Sequence, residues 1–318
     1  MSTETFEQTF EVKTPARLRV SNVRGHVDVQ PGEDGIINVT AVKHQGVGGN
    51  GKTKIFIGQE SDGLVIVEAK YENSITDFFG INKPCKVDFS IRVPHTCSVK
   101  VNCVSSSATI NGLEGDFEVQ GVSGDINLAN MNGTFDFNSV SGKITAENLI
   151  GPLEMNNVSG KVQITESQIP SMIGKSVSGS AIIETPLTEG PYEFKSVSGN
   201  MSVITPEDTA CTISIKSVSG VAKVNLPVTS RTGVRNKEII EVAGGGPQVS
   251  MKSVSGVLKV GSPNYVKSEE PQPEKEIAPS PVVPPAIPAT QPKSQMQILQ
   301  ELENGEISVD EALELMNP

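Results

Sequence analysis

Residues 46–53 read Gly-Val-Gly-Gly-Asn-Gly-Lys-Thr and fit the phosphate-loop pattern G-x-x-x-x-G-K-[ST] at every fixed position. In that loop, backbone N–H groups cradle phosphates, the lysine neutralises them and the hydroxyl holds magnesium. The chemistry needs a strand before the loop and a helix after it, because the first amides of the helix grip the phosphate. Here Lys52-Thr53 runs into "KIFIGQESDGLVIVEA", which alternates with period two and predicts a strand hairpin. No helical periodicity precedes about residue 294. The segment therefore reads as a Gly-rich connection with Lys52 solvated, and no nucleotide cofactor is expected. Nucleotide binding at Gly46–Thr53 stays as a remote alternative.

The other reactive residue types are sparse. Cys85, Cys97, Cys103 and Cys211 show no CxxC spacing and are expected to be reduced thiols. His95, Cys97 and Cys103 lie close together, but within a strand-like stretch and in no zinc-ligand frame, so no metal is expected. Polysaccharide cleavage calls for carboxylates and basic residues on one face. Asp116 and Asp125 fall on different strands, and no arginine lies between Arg92 and Arg231. Acyl transfer calls for a histidine, yet His26, His44 and His95 all precede the repeat described below. Calcium-binding nonapeptide rolls need G-G-x-G-x-D, and that Asp column is missing. The expectation is a non-enzymatic chain without cofactors. An enzyme acting on polysaccharide or in acyl transfer is the alternative.

Charge narrows the partners. The formal charge is −11, and from Lys267 to Pro318 ten acids face three lysines. Trp is absent and aromatics are 4% of residues. Repulsion from phosphate backbones and the want of stacking platforms argue against nucleic acid. "MSTETFEQTFEV" has no basic start and no apolar core, so a cytoplasmic location is expected. No run of about 18 apolar residues predicts a membrane span.

The elements that position these residues follow from a repeat. Val-Ser-Gly occurs seven times, at Val122, Val140, Val158, Val177, Val197, Val218 and Val254, with a relative, "VSS", at Val104. The corner residues are Ser123, Gly124, Ser141, Gly142, Ser159, Gly160, Ser178, Gly179, Ser198, Gly199, Ser219, Gly220, Ser255 and Gly256. Inside lies a nine-residue period: GDFEVQGVS, GDINLANMN, GTFDFNSVS, GKITAENLI, GPLEMNNVS. Positions 3, 5 and 8 are apolar and position 4 is polar, so each nonamer is one short strand and one corner. Positions 3, 5 and 8 are expected to fill the interior. Glycine at the corner is expected to supply a positive φ. The serines read as corner hydrogen-bonding residues, not nucleophiles.

Two strands per coil of about 18–21 residues predict an all-β fold, a parallel β-solenoid stabilised by neighbouring coils. An antiparallel meander also fits the spacing, but the near-identity of every second corner favours stacked coils. A six-residue step gives a poorer apolar column.

Four regions result. Residues 5–103 form an N-terminal β region capping the solenoid, in which "SNVRGHVDV" looks like a degenerate coil. Residues 104–266 are the solenoid. Residues 267–293 form a Pro/Glu-rich linker. Residues 294–318 form a small α-hairpin, with capping boxes at Ser294/Gln297 and Ser308/Glu311 around Gly305. Ile298, Leu299, Leu302, Val309, Leu313 and Met316 give it an apolar face too small to be stable alone.

The "SVSG" strands, "SIRVP" leading into "VNCVSSSATINGLEGDFEVQGVSGDI", and "GGGPQVSMKSVSG" resemble the bacterial "putative adhesin" β-solenoid family, of unknown function, over roughly residues 8–261. "ILQELENGEISVDEALELM" resembles the SHOCT-like hairpin often fused to it. The resemblance implies a solenoid scaffold or adhesin-like binding module and no catalytic residues. It also suggests a protein partner or self-association through the hairpin.

Overall fold

In the computed structural model, the described residues are 3–44, 53–71, 84–234 and 237–263. The phosphate-loop positions 46–52, the Pro/Glu-rich linker and the hairpin residues Ile298 to Met316 lie outside them. The chain divides into two units, Met1–Glu270 and Pro271–Pro318. The first is described here.

Among the described residues its named elements are all strands. The strands form two ladders joined at corners, and one strand from each ladder makes a coil. One ladder stacks, in parallel and in register, the first half of β2 (Ala16–Pro31), the first half of β7 (Cys97–Asn111), β8 (Glu114–Gly121), the second half of β9 (Ile126–Ser139), β11 (Leu153–Asn157), β13 (Met172–Ser176) and β15 (Tyr192–Ser196). The other stacks the remaining halves of β2, β7 and β9 with β10 (Lys143–Ile150), β12 (Lys161–Thr165), β14 (Ser180–Glu184) and β16 (Asn200–Ile204). Phe117 meets Phe135, which meets Leu153, then Met172, then Tyr192. This is the apolar column that positions 3 of the nonamers predict.

Stacking departs from chain order at both ends. After β16, the chain skips one level to form β17 (Cys211–Ser217) and β18 (Val221–Asn225). It continues through the hairpin β19 (Val228–Val234) and β20 (Lys237–Val242), antiparallel on β17. It then returns to fill the gap: β21 (Gln248–Ser253) lies between β15 and β17, and β22 (Val257–Gly261) between β16 and β18. The 36-residue step between Val218 and Val254 is this excursion and return.

The N-terminal end repeats the manoeuvre. β2 pairs with β7, 81 residues on, with Ala16 opposite Cys97. Between them in sequence, β5 (Leu64–Tyr71) and β6 (Lys86–Val93) form a coil on the outer side of β2. Three antiparallel strands cover that outermost coil: β4 (Thr53–Gln59) on β5, β3 (Ile36–His44) on β6, and β1 (Thr3–Glu11) on β3. Coil geometry thus begins at residue 16, and the degenerate copy "SNVRGHVDV" is the β2 corner. An uncovered last coil would expose unpaired N–H and C=O groups; antiparallel strands occupy those of β5 and β6 at one end and of β17 at the other.

Close approach between coils demands glycine at both corners, and φ demands it in addition at one of them. Gly115, Gly133 and Gly151 have φ of 151°, 143° and 134°, as expected. The Val-Ser-Gly glycines are not in that region. They are small because the coils touch there: a Cβ on Gly124 would lie 1.7 Å from the Ser106 carbonyl oxygen, and one on Gly142 2.2 Å from that of Gly124. Positive φ values also occur at Asn130 (55°) and Asn148 (53°). Asparagine tolerates this region, and these two join Asn111 in an amide ladder, Asn148 to Asn130 and Asn130 to Asn111, each 2.9 Å.

Candidate binding edge

The Val-Ser-Gly corner is built by hydrogen bonds between successive coils. The N–H and Oγ of Ser123 both donate to the Val104 carbonyl, at 2.9 and 3.0 Å. Ser141 donates likewise to Val122, Ser159 to Val140, Ser178 to Val158, Ser198 to Val177 and Ser219 to Val254. A second serine, missed in the sequence reading, precedes the valine in "SVSG". Ser196, Ser217 and Ser253 accept the N–H of Gly199, Gly220 and Gly256, three residues on. The hydroxyls at this edge are thus spent on the backbone, as local side-chain bonds at turns commonly are.

The valines go the other way. Position-8 residues at the opposite corner, Met131 and Leu149, are 1% and 0% exposed. Val104, Val122, Val140, Val158, Val177, Val197 and Val254 are 44% to 51% exposed, and Val218 is 71%. The expectation that every position 8 points inward is corrected: the tight corner turns its valine to solvent. Coil stacking at about 4.8 Å makes these eight valines a ridge of about 34 Å. Isolated apolar residues on a surface are ordinary; a contiguous file is the kind of patch that marks an interaction site.

A groove runs beside the ridge, floored by the SVSG serines. Its outer wall changes along the stack. It is amide-lined at Asn102, Gln120, Asn138 and Asn156. It then turns cationic at Lys175, Lys195, Lys252 and Lys216, which stand in register on four successive coils. Across β17, Lys237 continues the file beyond Lys216. Past the corner glycines, Lys143 and Lys161 stand in register on the other flank. Lys175 meets Glu154 at 3.5 Å. Among the described residues, Lys143, Lys161, Lys195, Lys216 and Lys252 make no ion pair.

One column further out, Glu118, Asp136 and Glu154 stack in register. Partial burial, with Glu154 and Glu118 as like-charged neighbours, raises the Asp136 carboxyl above its ordinary value, although Asn138 hydrogen-bonds to it. Lys100 relieves the far end, 2.6 Å from Glu118. These carboxylates and Asp116 share their face with Arg17 and Arg19.

The residues weighed for chemistry fall elsewhere. Cys97, Cys103 and Cys211 point into the core; burial pushes the Cys97 thiol up to about 12 and that of Cys211 to about 11. His95 is exposed, apart from Cys97 and Cys103. Among the described residues no three His, Cys, Asp or Glu side chains gather as metal ligands. Thr53, the last residue of the phosphate-loop pattern, opens strand β4, and its Oγ1 accepts the Cys85 N–H at 3.0 Å.

The histidines do reach the coils. His26 on β2 lies 2.8 Å from the Ser107 hydroxyl. The neighbouring Asp88 carboxylate does not orient that ring. Its oxygens take the His26 backbone N–H, His44 Nε2 at 2.8 Å and Lys86 Nζ at 2.9 Å. Burial pushes its carboxyl up, but the hydrogen bonds and charges of Lys86 and His44 outweigh this and leave it below its ordinary value. The pair lacks the oriented-base arrangement of a catalytic triad.

Residues 16–260 match the Toastrack DUF4097 family. Among solved structures, a "putative adhesin" from Bacteroides fragilis is 12% identical, with 81% of this chain and 97% of that chain covered and a TM-score of 0.44. A "putative adhesin" from Parabacteroides merdae is 10% identical, with 81% and 96% covered and a TM-score of 0.40. No curated protein matches the chain. No helix among the described residues is long and apolar enough to cross a membrane.

Proposed function

The chain belongs to the Toastrack DUF4097 family, and from that premise we propose that it is a non-enzymatic binding scaffold whose working surface is the Val-Ser-Gly edge. The observation that carries the reading is the ridge itself. Eight valines stand exposed at equivalent corners while the equivalent residues of the opposite corner are buried. Exposure of a β-branched apolar residue gives folding nothing, so a repeated one points to a partner.

Two expectations belong to this reading. First, immobilised native chain retains material from a bacterial extract that Val140→Asp/Val177→Asp does not, while both show the same thermal unfolding. Equal retention by the folded variant overturns the edge as the working surface. Second, the hairpin face of Ile298, Leu299, Leu302, Val309, Leu313 and Met316 recruits a protein partner or a second copy, because so small an apolar face needs cover. Light scattering is expected to find more chains per particle for the full chain than for a chain ending at Asn264. The same number in both removes self-association.

A further inference from the structure

We infer that the cationic half of the Val-Ser-Gly edge docks on a membrane surface bearing anionic lipid headgroups. This rests on the binding-scaffold reading above and names its partner. Three observations combine. A chain of net charge −11 gathers Lys175, Lys195, Lys252 and Lys216 into one in-register file, with Lys161 and Lys143 one and two coils before Lys175 on the other flank of the corner. Like charges directly opposite one another across strands oppose folding, so this file is a standing cost that an external anion relieves. Beside the lysines, the valines Val177, Val197, Val254 and Val218 stand proud of serines too small to screen them.

The apolar ridge decides among anions. A soluble polyanion satisfies the lysines and leaves the valines in water. A bilayer interface satisfies both, with headgroups for the ammonium groups and the acyl boundary for the side chains. A second copy of the same edge would bring lysine file against lysine file. The ridge carries no aromatic residue, so the contact is shallow and depends on the anionic lipid. Glu154 and Glu193 lie one column outward, and Glu154 is already held by Lys175.

The test is flotation of the full chain with vesicles of phosphatidylcholine alone or with a third of phosphatidylglycerol. Binding is expected only to the anionic vesicles, falling steeply as salt shortens the screening length. Lys175→Gln/Lys195→Gln/Lys216→Gln/Lys252→Gln is expected to weaken partition at least about 100-fold. Val177→Ser/Val197→Ser/Val254→Ser is expected to weaken it about 10-fold. All seven positions are at the surface, and unchanged thermal unfolding confirms that the variants fold. Absence of binding to anionic vesicles, or binding unaffected by both variants, overturns the inference. So does inorganic polyphosphate that binds native and valine variant equally and displaces the chain from vesicles. If vesicles fail while capture from extract still depends on Val140 and Val177, the lipid assignment falls and the scaffold reading stands. If neither depends on the edge, both fall.

Discussion

Gly133→Ala is expected to destabilise the stack strongly. Gly133 sits at the corner opposite the valine ridge with φ of 143°, and an added Cβ would lie 1.8 Å from the Gly115 carbonyl oxygen. The backbone on that side is fixed by register with β8 above and β11 below, so the strain has no flexible side chain to absorb it. Steric overlap with backbone and an unfavourable φ add, and the cost is expected to exceed about 4 kcal/mol. A unit of this size then melts lower by roughly 10 °C or more. Gly233→Ala is the control: in the β19–β20 hairpin its Cβ would meet nothing closer than the Lys237 carbonyl at 3.7 Å. A Gly133→Ala chain that melts within about 2 °C of native would refute the tight contact between coils.

The second large effect comes from the out-of-order coil. A chain ending at Gly245 lacks β21 and β22. In a solenoid stacked in chain order, that cut removes the last coil and leaves the rest in place. Here it removes the coil between β15–β16 and β17–β18. The lost residues include Val249, Met251, Leu258 and Val260, each 2% exposed or less. At about 1.5–3 kcal/mol for each buried side chain, about 6–12 kcal/mol of burial goes, comparable to the stability of a whole domain. Hydrogen exchange is expected to show residues 211–242 losing protection, with residues 97–183 keeping it because their neighbours are intact. A chain ending at Asn264 should exchange like the full chain. Protected β17 amides in the shorter chain would mean that β17 can stack directly on β15.

The coil was legible because its signal is local and repeated. Period-two alternation in "GDFEV" and "GTFDF" places Phe117, Val119, Phe135 and Phe137 on one face, and all four are buried. The 18-residue spacing brings Gly133 opposite Gly115 and Phe135 opposite Phe117, whose rings stack at 5.6 Å. Stacking order was not legible. An 81-residue pairing between β2 and β7 leaves no mark in a nine-residue pattern, and "GPQVSMKSVSG" reads the same whichever gap it fills.

The binding edge was hidden by the rule that exposed the core. Apolar residues at a regular position argue for burial, so Val122 and Met131 looked equivalent, yet one is 45% and the other 1% exposed. The available signal was chemical. Val122 stands before Ser-Gly, where the corner is closed by serine bonds to the preceding coil, whereas Met131 follows an asparagine at φ of 55° that turns it inward. The lysine file was invisible for another reason. Lys175, Lys195 and Lys252 sit two residues before their valines, but 20 and 57 residues apart, and only the register of β13, β15 and β21 assembles them.

The reversed threading at the two ends also governs how such a protein can change length. A duplicated copy of one repeat can be spliced between Cys97 and Ile204, where successive levels follow the chain, and every downstream level moves along by one. The same splice beyond Cys211 or before Cys97 would have to enter a gap of fixed size, closed by strands on either side. Lengthening is therefore confined to the middle, and the terminal levels act as bookends whose internal pairing any enlarged descendant inherits unchanged.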